Sequence, residues 1–188
     1  ESRPGPFFIS TADGPAIAAV VTRHGETQLW QWRPDGSSRP LTGEPWVIHQ
    51  AAQVRDEGRF VVQAIGADGP AELFLLNGSV SPDGAVPERD KREGRIVRLT
   101  GWNRALVEAH DILRPETFWF TNSAGAQTQA WIIRPRREER ADSANAVGVP
   151  VVLAIHGGPH AMYTGAYSHE FQTLAASGLA VVYANPRG

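Results

Sequence analysis

Residues 156–160, with the sequence His-Gly-Gly-Pro-His, have the residue types of an acyl-transfer site. A tetrahedral acyl intermediate needs N–H donors held about 3 Å from its developing oxyanion. Glycine lets a backbone amide approach that closely, because it has no Cβ and can adopt positive φ. The segment therefore predicts an oxyanion-binding loop. A glycine-rich turn that binds a phosphate at a helix N-terminus, or binds nothing, is the alternative.

The elements that must position this loop flank it on both sides. Val151 to Ile155 is an apolar run rich in β-branched residues, which predicts a strand buried on both faces. A helix is predicted next, with Ser168 as its N-cap and Gly178 as its C′ residue. Leu179 to Ala184 then predicts a second strand. These elements form a βαβ unit with parallel strands, and ligands bind at the carboxyl ends of such strands, where the loop lies.

The motif HGGPH, the following residues 161–178 and the segment VVYANPRG at 181–188 resemble the opening of a peptidase catalytic domain. The resemblance is to the prolyl oligopeptidase family of serine peptidases, and within it to the acylaminoacyl-peptidase branch. It implies that Gly158 is the backbone oxyanion donor, in a loop shaped by His156, Gly157 and Pro159. His160 and Arg187 are candidates for substrate binding or loop shaping, and a structural salt bridge is the alternative for Arg187.

The nucleophile of such an enzyme is missing from this sequence, because none of its ten serines lies in a Gly-x-Ser-x-Gly elbow. In the α/β-hydrolase fold the triad follows in the order Ser, Asp, His. Only Ser168 and Ser177 lie beyond the loop, at the two ends of the predicted helix. We therefore expect the chain to be a segment of a serine peptidase that cleaves short peptides, with the catalytic triad supplied by the rest of the same enzyme chain.

An internal repeat marks the first part of the chain, which has the alternating pattern of β-strands. Gly14–Trp30 aligns with Gly58–Phe74 at an offset of 44 residues, and Leu41-Thr42-Gly43 returns as Leu99-Thr100-Gly101 at an offset of 58. The polar stretch Gly78–Gly94 absorbs the difference and is predicted to be an enlarged, exposed hairpin loop. A period of about 40–45 residues with several short strands is typical of β-propeller blades. A β-sandwich is the alternative.

Together these patterns predict two domains. Residues 1–113 are expected to be the C-terminal blades of a β-propeller, such as the resembled family carries before its hydrolase domain. Residues 114–188 are expected to be the N-terminal part of an α/β-hydrolase domain with a mostly parallel sheet. Ala105–Glu108 is predicted as a short strand before the boundary. The aromatic run 118–120 and the apolar run 130–133 flank a turn-rich segment and predict a hairpin.

Composition excludes several classes of function. A net charge of −2 and a pI near 6.3 argue against a nucleic-acid partner. There is no cysteine, which excludes disulfides and Cys-based zinc sites. His156 and His160 are spaced like zinc ligands on a helix, but the glycines and proline between them exclude that helix, so we predict no metal and no cofactor.

The sequence also bears on location and assembly. No stretch approaches the roughly 20 apolar residues of a membrane span, so no membrane partner is expected. The absence of cysteine fits a cytoplasmic protein. A homo-oligomer is compatible with the sequence, which does not specify the oligomeric state.

Two other functions fit part of the pattern. An esterase or lipase is one, because HGG-type loops also serve ester hydrolysis. A propeller interaction module without catalysis is the other. The combination of HGGP, NPRG and the propeller repeat favours the peptidase, and a Gly-x-Ser-x-Gly motif beyond residue 188 would separate the enzyme from the module.

Overall fold

The computed structural model describes residues 5–11, 14–43, 46–54, 58–76, 96–136, 148–158 and 161–186. The first eight strands are β1 (Phe7–Thr11), β2 (Gly14–Arg23), β3 (Glu26–Trp32), β4 (Ser38–Pro40), β5 (Val47–Gln53), β6 (Phe60–Gly66), β7 (Gly69–Leu76) and β8 (Ile96–Arg98). They are followed by α1 (Arg104–Ala109), β9 (Glu116–Thr121), β10 (Gln127–Ile133), β11 (Val151–Ala154), α2 (His169–Ala176) and β12 (Ala180–Ala184).

The first sheet consists of two antiparallel meanders, β1 to β4 and β5 to β8. One parallel bridge, between Thr27 of β3 and Val47 of β5, joins them. Each meander contains one copy of the sequence repeat, so the predicted repeat is confirmed as a structural unit. Two four-stranded meanders in succession are typical of neighbouring propeller blades. The predicted enlarged loop 78–94 lies outside the described residues.

Both repeats close through the same hydrogen bonds, which we call the Leu–Thr clasp. In each repeat, a leucine of the third strand makes two hydrogen bonds of 2.7–3.0 Å. Its N–H donates to the hydroxyl of a threonine. Its carbonyl accepts from the N–H of a second leucine, which directly precedes that threonine. The residues are Leu29, Leu41 and Thr42 in the first repeat and Leu73, Leu99 and Thr100 in the second. The clasp explains why the pair Leu-Thr recurs in the sequence.

Strand β3 shows why the alternating pattern positions the core. Thr27, Leu29 and Gln31 are buried, with Leu29 fully so, because successive side chains of a strand point to opposite faces. Trp30 and Trp32 lie on the other face, as their spacing of two residues in a strand requires, and their rings stack with centroids 6.2 Å apart.

A buried carboxylate joins the second repeat to α1. Glu72 is 2% exposed and accepts hydrogen bonds from the N–H of Asn103 (2.9 Å) and of Trp102 (3.3 Å) and from the hydroxyl of Thr100. Burial acts to raise the pKa of Glu72, but the hydrogen bonds together hold it below its ordinary value. Glu72 thus fixes the chain just before α1.

The strand predicted at Ala105–Glu108 is wrong, because these residues lie in α1. The N–H of Val107 donates to the carbonyl of Asn103 (3.0 Å) and that of His110 to Leu106 (3.1 Å). Alanine, leucine, arginine and glutamate all favour a helix, and this local preference exceeds the weak strand pattern.

The second sheet has the order β11-β12-β10-β9. Strands β11 and β12 are parallel, which confirms the predicted pairing across α2. However, β12 pairs antiparallel with β10, and β10 pairs antiparallel with β9. The prediction of a mostly parallel sheet is therefore wrong for the described residues, where the sheet is mixed. The hairpin β9–β10 contributes the antiparallel pairs, and Gly125 turns it with a φ of +77°.

The prediction that Val151–Ile155 is buried on both faces is also wrong. Strand β11 lies at an edge of the described sheet. Helix α2 packs on one face of this sheet, where it contacts β10 and β12. Val151, Leu153 and Ile155 alternate along the uncovered side and are 61%, 62% and 79% exposed. The apolar run identified the strand correctly, but sequence alone did not show which faces have neighbours.

Helix α2 begins and ends where its capping residues predict. The Ser168 hydroxyl accepts a hydrogen bond from the N–H of Phe171, and Gly178 has a φ of +87° just beyond the last turn. Phe171 and Ala175 are buried against the second sheet. Neither helix of the described chain has the length and apolar character needed to cross a membrane. The domain boundary at 113–114 stays a prediction.

Candidate active site

Residues 156–158 follow β11 at its carboxyl end, where the sequence predicts the oxyanion loop. Pro159, His160 and Arg187 lie outside the described residues. Gly157 and Gly158 are exposed, and a Cβ placed on either would meet no heavy atom within 4 Å. Neither glycine has a left-handed φ, so the loop does not use the conformational freedom that the sequence suggested. What these glycines provide is open space beside the backbone amides.

His156 is held by two contacts within the loop region. Its Nδ1 lies 2.8 Å from the carbonyl oxygen of Gly157. Its ring meets the ring of Tyr163 edge to face, with centroids 5.1 Å apart. These contacts restrain the start of the loop, and the loop-shaping role of His156 stays a prediction.

Tyr163, Phe171 and Tyr183 form an aromatic cluster that contacts the start of the loop through the ring of His156. Tyr163 packs against Tyr183 (5.2 Å between centroids) and Phe171 (5.6 Å). Burial strongly raises the pKa of Tyr183. The pKa of Tyr163 is also raised, mainly by burial and to a lesser extent by the negative charge of Glu170. Both phenols therefore remain protonated at neutral pH, and their part in the site is packing.

Asn185, of the NPRG motif, is hydrogen-bonded to Tyr163, in the segment that follows HGGPH. Its Oδ1 accepts from the N–H of Tyr163 (2.7 Å), and its Nδ2 donates to the Tyr163 carbonyl (2.9 Å). Its own N–H donates to the carbonyl of Gln129 (3.0 Å). Sequence analysis missed this role, although the asparagine before proline in NPRG offered a signal: its amide side chain can bind a donor and an acceptor together.

A cleft of about 500 Å³ separates residues 156–158 from the β2–β3 turn of the first sheet. The turn consists of His24 and Gly25, with φ of +49° and +70°, as a two-residue type I′ hairpin turn requires. His24 meets the ring of Trp119 edge to face at 5.5 Å between centroids. Sequence analysis identified this pair only as a turn signal, because nothing in the local pattern shows what a turn faces.

Gly25 packs directly on the second sheet. A Cβ at this position would lie 2.4 Å from Cζ2 of Trp131, so only glycine fits there. Trp131 is 2% exposed and stacks on Tyr183, with ring centroids 5.4 Å apart. The turn and the aromatic cluster are therefore in contact.

The equivalent turn of the second repeat, between β6 and β7 (residues 66–69), also contacts residues beyond the first sheet. Gly66, at the start of that turn, accepts a hydrogen bond from the N–H of Tyr167 at 2.7 Å. Asp68 lies 3.8 Å from a guanidinium nitrogen of Arg114. Corresponding turns of the two repeats thus lie along the boundary with the second sheet.

A larger depression, about 1100 Å³, lies beside α2 and residues 110–113. The ion pair between Arg136 and Asp111 (2.6 Å) lies on its wall. None of residues 156–158 lines it, so it is separate from the cleft.

No protein-family model matches the chain. It is 33% identical over its whole length to a protein named "Uncharacterized peptidase YuxL" of Bacillus subtilis (strain 168), of which it covers 25%. Among solved structures, it is 25% identical to an acylaminoacyl peptidase in complex with Z-Gly-Gly-Phe-chloromethyl ketone, with a TM-score of 0.71 over 92% of this chain and 24% of that one.

A puromycin-hydrolyzing peptidase of Mycobacterium tuberculosis shares the fold, with a TM-score of 0.63 at 19% identity over 95% of this chain and 25% of that one. The chain spans about a quarter of the length of these relatives. Together with the motifs, these matches confirm the predicted resemblance: the chain is a relative of one segment of peptidases of the acylaminoacyl peptidase type.

Proposed function

We propose that this chain supplies the oxyanion loop and one wall of the substrate cleft of a serine peptidase of the acylaminoacyl-peptidase type. The enzyme hydrolyses short peptides through a serine acyl-enzyme, with its serine, aspartate and histidine outside this chain. Residues 1–113 act as propeller blades that limit access to the cleft. Residues 114–188 act as the N-terminal part of an α/β-hydrolase domain.

The observation that carries the proposal is the open glycine loop at the carboxyl end of β11. Residues 157 and 158 are exposed, border the cleft and have free space where side chains would stand. An oxyanion donor requires this accessibility, because the substrate carbon must come close to the backbone. The relatives are named as peptidases, which favours a peptide over an ester as the substrate.

In the proposed reaction the serine hydroxyl loses its proton to the histidine as its oxygen attacks the carbonyl carbon of the peptide bond. A C–O bond forms, and the π electron pair moves to the carbonyl oxygen, which becomes an oxyanion. The N–H of Gly158 donates to this oxygen and stabilises the negative charge. The C–N bond then breaks, the amine leaves with a proton from the histidine, and water releases the acyl group in the second half-reaction.

The propeller's part follows from the β2–β3 turn on the opposite side of the cleft. Gly25 rests on the buried Trp131 ring, so the turn has little room to withdraw. A cleft of about 500 Å³ has room for a short peptide segment between this turn and residues 156–158.

The test is Gly158→Ala in the full-length enzyme. Alanine keeps the backbone N–H, but its Cβ would occupy the open space beside the amide that the substrate carbonyl must enter. We therefore expect kcat to fall by roughly 10²–10³, as large a loss as that of one oxyanion donor. The melting temperature should remain unchanged, because an alanine side chain meets nothing within 4 Å and the φ is not left-handed. KM for an uncharged substrate should change far less than kcat, because the interaction is strongest in the transition state.

Gly148→Ala is the matched control, since its Cβ position is equally free and it lies outside the cleft. The control should leave both kcat and stability unchanged. If Gly158→Ala keeps kcat within about threefold of the parent, the assignment of this donor is wrong. If the parent enzyme cleaves no short peptide, the proposed function itself fails.

A further inference from the structure

We propose that Arg23 binds a carboxylate group of the peptide substrate and so determines specificity. The proposal rests on the proposed function in taking the ligand of the cleft to be a peptide. It concerns the wall of the cleft that the first sheet provides, opposite the candidate oxyanion loop.

Arg23 is placed in the cleft by a turn with fixed geometry. It is the last residue of β2, directly before the His24–Gly25 turn, and it lines the cleft together with residues 156–158. Gly25 is packed on Trp131, and His24 contacts Trp119. His24 is also the one residue other than glycine with a positive φ in the described chain. Such outliers persist where surrounding contacts hold them, which suits a positioning element.

The charge of Arg23 is uncompensated within the described residues. Its neighbour across the hairpin is Glu26, yet no carboxylate of the described chain lies within ion-pair distance of its guanidinium. Burial raises the pKa of Glu26, and nearby His24, not Arg23, acts to lower it. The guanidinium is thus available to a ligand.

The lining of the cleft also favours an anion. Its described residues include Arg23 and two histidines, His24 and His156, but no aspartate or glutamate. The side-chain amides of Gln127 and Gln129 add further donors. A guanidinium presents paired N–H groups that match the two oxygens of a carboxylate, so a carboxylate is the anion of a peptide that this wall fits best.

A peptide carries carboxylates of two kinds, its C-terminus and its acidic side chains. The experiment distinguishes them with three versions of one short substrate: a free C-terminal acid, its C-terminal amide, and the amide with one glutamine replaced by glutamate. The full-length parent is expected to show a lower KM for one or both carboxylate versions than for the plain amide. The version that gains identifies the source.

Arg23→Gln should remove that preference. We expect a rise in KM of about three- to tenfold for the preferred carboxylate substrate, because the lost contact is charge-assisted but solvent-exposed. KM for the plain amide and kcat for all three should stay within about twofold, because binding of a remote group acts equally on ground and transition states. Arg23→Lys should retain part of the preference, since it keeps the charge and loses the fork.

Arg104→Gln is the matched control, an exposed arginine of α1 outside the cleft, and it should leave the preference unchanged. If Arg23→Gln raises KM equally for acid and amide, or leaves the preference intact, the assignment is overturned. Calorimetric titration of the parent and of Arg23→Gln with the three peptides gives the same comparison without turnover. A parent that binds the acid more tightly but cleaves nothing would refute the proposed function while supporting the carboxylate site.

Discussion

The contact between Gly25 and Trp131 allows a quantitative test of how the two sheets are joined. Gly25→Ala adds one methyl group at a position where φ is +70° and where the new carbon would lie 2.4 Å from Cζ2 and 2.6 Å from Cη2 of the indole. The indole cannot easily move away, because it is 2% exposed and stacked on Tyr183. The substitution must therefore displace the turn, the ring or both.

The expected cost has two parts. A left-handed conformation costs an alanine about 1–2 kcal/mol, and overpacking a filled site costs about 1–3 kcal/mol more. The free energy of unfolding should thus fall by about 2–5 kcal/mol. Gly36→Ala separates the parts, because Gly36 has a φ of +84° but nothing within 4 Å of its Cβ position. It should lose only the conformational part, about 1–2 kcal/mol.

Urea denaturation of the full-length protein and the two variants measures their free energies of unfolding. Gly25→Ala should be about 1–3 kcal/mol less stable than Gly36→Ala. Combining Gly25→Ala with Trp131→Phe should recover part of this difference, because phenylalanine lacks the two carbons that collide. Equal losses at positions 25 and 36 would refute the idea that the turn is locked on the ring. An additive double variant would refute it independently.

Two further predictions concern single side chains. Because the pKa of Glu72 in the folded protein lies below the ordinary 4.5, its carboxylate stabilises the fold above that pH, and this contribution is lost as the pH falls through the folded-state value. Glu72→Gln should therefore lower the melting temperature at pH 7 but progressively less below pH 4.5. Glu108→Gln, at an exposed glutamate of α1, is the control and should leave the melting temperature at pH 7 nearly unchanged. Asn185→Ala removes two hydrogen bonds to Tyr163, and we expect a loss of stability of about 1–3 kcal/mol and a fall in kcat of about tenfold from misplacement of the loop. Asn122→Ala, which breaks the turn bonds of the β9–β10 hairpin, should cost similar stability with kcat intact, and a matching loss of kcat there would contradict a specific role for Asn185.

The features predicted well from sequence are those that a local pattern determines. The repeat aligned Leu29 with Leu73, and both residues make the same hydrogen bonds. Ser168 and Gly178 bound α2 because capping depends on the first and last turns alone. The resemblance carried by HGGPH and NPRG likewise predicted a peptidase relationship, and the matches to known proteins agree.

Features that depend on distant neighbours were not predicted. Val151, Leu153 and Ile155 have the composition of a buried strand, but their burial depends on what lies beside β11, and composition does not report that. The pairing of β12 with β10 decides the mixed sheet, and it joins residues about 50 apart in sequence (130 and 184). The cleft is another such feature, because His24 and Gly158 line it from two different sheets.

The Leu–Thr clasp has a consequence for how the repeat accommodates changes in chain length. The two clasped leucines are 12 residues apart in the first repeat (29 to 41) and 26 apart in the second (73 to 99), yet the hydrogen bonds are the same. The loop-closure entropy of an increase from 12 to 26 residues amounts to only about 0.7 kcal/mol. The two hydrogen bonds of the clasp are of comparable or greater value. Each repeat can therefore lengthen between its third and fourth strands without losing its closure. This connection is a point where related chains can acquire insertions while the β2–β3 turn stays in place beside the cleft.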